Sequence, residues 1–240
     1  MTESSPKADT EVNSLYENLR AKHGSGNSRA NGYLWHGYFL REQEILFSLM
    51  NPSAQVVLDV GCGSGLMVSP LRQCRELVAG IDFNEHACAD AQMNGLAVTR
   101  GDAFELPYVS NSIDELVCCQ FFNQQPQASV IRLLAEAARV LSPNGRVILI
   151  WRNGEAHIHR AALFLAKMVS AVNRGPLFPY ENHSIDNVIE YAQPFTLVAE
   201  YCAVSFPPMR WVSEKRGGWG AKFFGASNIC VLSKPPSGVS

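Results

Sequence analysis

Apolar residues come in short blocks along this chain, and the period of each block differs from that of its neighbours. Val56, Val57, Leu58 and Val60 form a run rich in β-branched residues, the pattern of a strand covered on both faces. Comparable runs predict strands at 77–82, 97–102, 113–119 and 146–151. Between them, amphipathic stretches predict helices at 66–74, 84–93 and 128–141. The last is the clearest: Val130, Leu133, Leu134, Ala137, Val140 and Leu141 make one apolar stripe, and Arg132, Glu136 and Arg139 share the opposite face. Ser142-Pro143-Asn144-Gly145 then has the residues of a type I turn, after which a strand restarts. Strand and helix signals in alternation predict an α/β, doubly wound, mostly parallel sheet with helices on both faces.

The flanks are less regular. Residues 1 to about 10 are polar, a short helix is expected over 11–22, and a glycine-rich loop follows over 23–32. A second helical stretch over 33–50 is dense in aromatics, with Tyr33, Trp35, Tyr38 and Phe39 ahead of Ile45, Leu46, Leu49 and Met50, and Asn51-Pro52 ends it. Past Trp151 the pattern predicts a helix over 155–172, a short helix over 184–192, and strands at 196–206 and 228–234. Should the first of these two strands run parallel to the rest, the connection over 207–227 carries Arg210, Trp211, Lys215, Arg216, Trp219 and Lys222 to the ligand edge of the sheet. Asp114 and Glu115 open a strand at the opposite edge and are expected to face solvent.

The candidate chemistry centres on Gln55 to Gly65. Gly61, Gly63 and Gly65 alternate in a turn that follows the first strand, so the backbone can bend sharply and approach a ligand. The spacing is G-x-G-x-G rather than the G-x-G-x-x-G of dinucleotide sites. Charge separates the two classes. Asp59 stands two residues before Gly61, Asp82 closes the second strand and Asp102 the third, while no Lys or Arg occurs between Asp59 and Arg72. A pyrophosphate would be repelled there, whereas a cation with hydroxyl and amino groups would be bound. S-adenosylmethionine, with its sulfonium and ammonium, is such a ligand.

Taken in order, Asp59-Val60-Gly61-Cys62-Gly63-Ser64-Gly65, Gly80-Ile81-Asp82, Gly101-Asp102-Ala103-Phe104-Glu105-Leu106-Pro107 and Arg139-Val140-Leu141-Ser142-Pro143-Asn144-Gly145 resemble the motifs of class I S-adenosylmethionine-dependent methyltransferases. The nearest type is the small-molecule methyltransferase of ubiquinone and menaquinone biosynthesis. The resemblance covers residues 56–150, with weaker support to 234. It implies a Rossmann-like sheet of seven strands with an antiparallel last strand, and an N-terminal helical cap that walls the substrate cavity. The expected division is 1–51 for the tail and cap and 52–240 for the cofactor-binding domain.

By the same match, Asp59, Gly61, Cys62 and Gly63 lie at the methionine part of the cofactor, Asp82 and Phe83 at ribose and adenine, and Asp102 and Ala103 at the adenine edge. A carboxylate with two oxygens suits a vicinal diol. Gln120, just after the fourth strand, is a further cofactor contact. Substrate candidates are Tyr33, Trp35, Tyr38, Asn123, Trp151, Arg210 and Trp211. Methyl transfer needs alignment more than a fixed catalytic group, and His36, His157 and His159 are the candidate bases if the acceptor must lose a proton. His157 and His159 at i and i+2 point apart on a helix, so no metal is expected.

Composition narrows the partners. A chain of 240 residues, 47% hydrophobic, has material for one substantial core, and a net charge of -2 offers no electrostatic case for nucleic acid or an anionic membrane. Seven cysteines without C-x-x-C spacing are read as reduced thiols of a cytoplasmic protein, and no apolar run reaches the length of a membrane span or a signal core. The sequence therefore points to a methyltransferase acting on a small-molecule acceptor. The alternatives are a non-catalytic scaffold that keeps the fold, disfavoured by the intact acids and glycines, and a nicotinamide-dependent oxidoreductase.

Overall fold

The computed structural model describes residues 14, 17–24, 26–28, 33, 36–121, 125–154, 156–157, 183–206, 209–213 and 225–236. Residues 17–23 are helical. The described residues include α1 (His36–Leu49), β1 (Val56–Val60), β2 (Leu77–Asp82), α2 (Glu85–Met93), β3 (Ala97–Arg100), β4 (Ile113–Cys119), α3 (Gln127–Val140), β5 (Leu141–Arg152), α4 (Ile185–Tyr191), β6 (Thr196–Phe206), β7 (Met209–Ser213) and β8 (Gly225–Ser233). The strands form one sheet in the order β3-β2-β1-β4-β5-β8-β6-β7.

β1 to β5 are parallel, β8 enters antiparallel between β5 and β6, and β6 thereby runs with the parallel set. The seven expected strands are all present, in a mostly parallel sheet with an antiparallel last strand. The parallel run of β6 meets the condition set for the 207–227 stretch; within it, Met209–Ser213 was not expected as a strand and folds back on β6 as an eighth, antiparallel edge strand.

The blocks of apolar residues are long because each central strand is buried on both faces. Along β5, Val147, Leu149 and Trp151 face one side with Leu58, Leu116 and the α3 stripe of Val130, Leu133, Leu134 and Ala137. Ile148 and Ile150 face the other with Val57, Val117 and the α1 residues Phe39, Ile45 and Leu46. Helix α1 is thus the N-terminal cap, laid on the face opposite α3.

Local chemistry accounts for most element ends. Asn84 caps α2, its side chain accepting from the Ala87 N–H, and Ser184 caps α4 in the same way through Asn187. The 66–74 stretch is a short 3-10 helix, Ser69–Gln73, rather than the α-helix expected; Pro70 stands in its first turn and no side chain caps its start. The register passes from Ile113 opposite Leu141 to Glu115 opposite Arg146, so Ser142-Pro143-Asn144-Gly145 bulges out before the strand resumes. The expected 155–172 helix lies almost wholly outside the described residues.

Two acids read as solvent-facing are structural. Glu115 is fully buried, 3.0 Å from Arg146, and both its oxygens accept from the Asn51 N–H. Asp114 accepts from the N–H groups of Gln55 and Val56 and so fixes the entry to β1. The pairing partner of Glu115 lies 31 residues along the chain, beyond the reach of any local pattern.

The polar face of α3 also has a task. Arg139 donates to the Leu106 and Tyr108 carbonyls, while Glu136 accepts from the Leu106 N–H and pairs with Arg139 at 2.8 Å. This clamp holds the loop that follows Asp102. The Arg139 hydrogen bond, with a smaller share from Leu106, draws the Glu136 carboxyl below its ordinary range. A depressed folded value stabilises at pH above the unfolded value and is lost as pH falls through the folded one. Arg139→Ala is expected to cost about 1–2 kcal/mol at neutral pH and to flatten the acid limb of a stability-versus-pH curve, measured by urea melts between pH 3 and 7.

Candidate functional site

The carboxyl ends of β3, β2, β1 and β4 lie side by side, and the loops leaving them define the site. After β1 the chain turns through Gly61, Gly63 and Gly65, with φ of 69°, 54° and 73°, a region that disfavours residues bearing a Cβ. The turn is pinned to β2, since the Gly61 and Cys62 N–H groups both donate to the Ile81 carbonyl, at 2.9 and 3.2 Å. Gly80 makes this contact feasible: a Cβ there would lie 2.6 Å from Cys62 Sγ. A Cβ on Gly61 would lie 2.6 Å from the Phe121 ring, which covers the turn from the β4 side.

Asp82 locks the turn to the next helix. One carboxylate oxygen accepts from the Gly63 N–H and the other from the Asn84 N–H, both at 2.9 Å. Burial pushes the Asp82 carboxyl up in pKa, against the pull of these backbone donors. Asp59 is buried beside it, 2% exposed, and burial, then the charge of Asp82, pushes its carboxyl well above the ordinary carboxylate range. Two acids that both resist ionisation, packed against a turn of backbone N–H groups, make a place where a cation would be welcome. Asp102 is exposed, accepts from the Phe104 N–H at 2.8 Å, and borders Asp82 through the Gly101 N–H, which donates to the Asp82 carbonyl. Ala103 is buried and Phe83 is 45% exposed, a bare aromatic face at the mouth of β2.

Gln120 closes the row. It follows β4 with φ of 57°, unusual for a residue other than glycine, and its side chain runs to the cap. There its amide Nε2 donates to Glu42 Oε1 at 2.7 Å and to Ser227 Oγ at 3.2 Å. Ser227 also donates to Glu42 Oε1, Tyr33 donates to Glu42 Oε2 at 2.7 Å, and the Tyr38 hydroxyl bonds Ser227. Glu42 is fully buried. Burial, then the Glu42 charge, pushes both tyrosine hydroxyls well above their ordinary range, so they remain protonated donors. The Gln120 Oε1 is buried and lacks a hydrogen-bond partner, at a cost of about 1–3 kcal/mol.

Trp151 is a correction: its indole is fully buried on the α3 side, opposite the cap, and donates to the His183 carbonyl at 2.7 Å, so it is a core residue rather than a substrate contact. His36 is exposed in the first turn of α1, with Nδ1 3.0 Å from Ser28 Oγ and its ring stacked on Phe39. His157 is exposed. Arg210 and Trp211 pair with Ser205 and Val204 in the edge hairpin. Trp35, Asn123 and His159, with Lys215, Arg216, Trp219 and Lys222, lie outside the described residues.

Sequence reasoning missed Glu42, Ser227 and Phe121. Glu42 left a signal, because it stands within the buried stripe of Phe39, Ile45 and Leu46 on α1, where a carboxylate needs partners.

The family described as "Methyltransferase domain" matches residues 58–149. Demethylmenaquinone methyltransferase of Oceanobacillus iheyensis is 29% identical over 150 residues, which are 58% of this chain and 60% of that protein. Ribosomal RNA small subunit methyltransferase C of Chromohalobacter salexigens is 34% identical over 110 residues, 43% of this chain and 33% of that protein. The chain thus spans less than two thirds of the length of both relatives. Among solved structures, a Thermotoga maritima protein described as a SAM-dependent methyltransferase, possible histamine N-methyltransferase, superposes with a TM-score of 0.67 at 18% identity, over 95% of this chain and 98% of that one. At that identity it shares the fold. Among the described residues no helix is long and apolar enough to cross a membrane.

Asp59 gives this geometry a measurable consequence. A carboxyl whose folded value is raised contributes stability below its unfolded value and loses it as pH rises through the folded one. Asp59→Asn is therefore expected to raise the Tm of the ligand-free protein by a few degrees near neutral pH and to remove part of its decline with rising pH, measured by calorimetry from pH 4 to 8. An unchanged Tm and slope would mean that the carboxyl is not destabilised by its burial.

Proposed function

We propose that this chain, a class I S-adenosylmethionine-dependent methyltransferase by its domain and its fold, binds S-adenosylmethionine at the glycine turn and methylates a small-molecule acceptor. When bound, the cofactor supplies an activated methyl group on a sulfonium. The observation that carries the reading is the row of acids at the mouths of adjacent strands, Asp102 after β3, Asp82 ending β2 and Asp59 in β1, around a turn in which Gly61, Gly63 and Gly65 carry no Cβ.

Each residue has a task suited to its placement. Asp82 already accepts one backbone N–H on each oxygen and has the remaining lone pairs for the two ribose hydroxyls. Phe83 offers its exposed ring to the adenine, and Asp102 with the Ala103 backbone borders the adenine edge. Gly61 and Gly63 lie against the amino-acid end, with Cys62 held beneath by burial as a thiol rather than a thiolate. Asp59 holds the positive charge, directly or through water, and Gln120 meets the end nearest β4. Tyr33 and Tyr38 of the cap stand on the acceptor side.

Residues 52–240 form the catalytic domain in this reading, and 1–51 the tail and cap. The likeness to a demethylmenaquinone methyltransferase over 58% of this chain supports a small-molecule acceptor. The described cysteines are all free thiols, which suits a reducing, cytoplasmic setting. The likeness to a ribosomal RNA methyltransferase spans 43% of this chain and does not by itself extend to an RNA acceptor. No fixed base is required, since alignment of donor and acceptor is the main contribution a protein makes to such a displacement.

Radiolabelled methyl donor incubated with a panel of phenols, catechols, amines and quinone precursors tests the activity, and incorporation into at least one of them is expected. Asp82→Asn keeps the side-chain volume but leaves one acceptor oxygen, and it is expected to weaken cofactor binding at least about tenfold by titration calorimetry. Equal affinity in Asp82→Asn would overturn the placement of the ribose.

A further inference from the structure

The polar cluster under the cap has a direction. Ser227 Oγ donates to Glu42, so its remaining capacity is as an acceptor, and it takes the Tyr38 hydroxyl and the Gln120 amide. Glu42 takes Tyr33 on one oxygen and Ser227 with Gln120 on the other. Every donor in the cluster therefore points inward, toward the Glu42 carboxylate or toward Ser227. The Gln120 amide has one orientation compatible with this, NH2 inward, and its carbonyl oxygen is left buried and unpaired. Reversing the amide would set that oxygen against Glu42 Oε1.

Strand order says which part of a ligand meets the unpaired oxygen. Along the edge β3-β2-β1-β4 stand Asp102, Asp82, Gly61 and Gln120 in turn. A ligand with its adenine at Asp102 and its ribose at Asp82 has its amino-acid end beyond Gly61, at Gln120. We infer that Gln120 Oε1 accepts a hydrogen bond from the α-ammonium of the cofactor, and that Glu42, a residue of the cap that touches no ligand, is the positioning residue that fixes this acceptor. The inference rests on the cofactor reading above and adds the cap to it: α1 sets the polarity of the cofactor site through one buried carboxylate.

In Glu42→Gln the Tyr33 hydroxyl keeps the amide oxygen on its own side, so the new NH2 faces Gln120. Gln120 then turns its oxygen inward and presents NH2 outward, where it repels an ammonium. Gln120→Met removes the acceptor at similar volume. Titration calorimetry of wild type and both variants with S-adenosylhomocysteine, which carries the ammonium, and with 5′-methylthioadenosine, which lacks the amino-acid end, separates recognition from damage. Both variants are expected to bind S-adenosylhomocysteine about tenfold more weakly than wild type and to bind 5′-methylthioadenosine within about twofold of it. Variants that bind both nucleosides as wild type does, or lose both equally, overturn the inference and leave the cofactor reading standing. Wild type that binds neither nucleoside overturns both.

Discussion

One carboxylate holds the site together. Asp82 ends β2 and reaches sideways to the Gly63 N–H and forward to the Asn84 N–H, so a single side chain joins the glycine turn to the start of α2. The remaining features depend on that link. The turn can lie against β2 because Gly80 leaves room for Cys62, and α2 can start because Asn84 is held for its own capping bond to Ala87. The arrangement concentrates negative charge where a protein interior resists it. Asp59 is buried and Asp82 half-buried; burial raises both carboxyls, and the charge of Asp82 makes Asp59 harder still to ionise. Such a cost persists in a folded protein when a ligand or partner offsets it.

The cap shows the same economy on a smaller scale. Glu42 is a buried carboxylate met by side-chain donors that include Tyr33, Gln120 and Ser227, and no Lys, Arg or His pairs with it among the described residues. Its partners Tyr33, Gln120 and Ser227 come from before α1, after β4 and within β8. A cluster of this kind ties the N-terminal cap to the parallel sheet and to the antiparallel end at once. It leaves one strained residue, Gln120, with an unsatisfied oxygen at the edge where the sheet receives ligands.

Much of this was legible before the fold. The β-branched run ending in Asp59, the glycines that follow, and acids closing the next two strands are local features, and they fold where their period and turn chemistry place them. What the sequence hid was set by distance along the chain or by strand parity. Glu115 reads as a surface acid until Arg146 is brought beside it by the β4 and β5 pairing. The 66–74 stretch has helical spacing, but Pro70 and an uncapped start leave a single 3-10 turn. Trp151 has the parity of Val147 and Leu149, residues covered by α3, and that parity turns it away from the cap. Met209–Ser213 has too few residues for its pattern to announce a strand, and its pairing with β6 decides the matter.

We propose that the carboxylates at the strand ends, Asp59 buried, Asp82 half-buried and Asp102 exposed, select a cation over a pyrophosphate. Parallel titrations of the wild-type protein with S-adenosylmethionine and with NAD at neutral pH address it most directly. The account predicts saturable binding of S-adenosylmethionine and none of NAD at equal concentration; NAD binding at that site with S-adenosylmethionine excluded would contradict it.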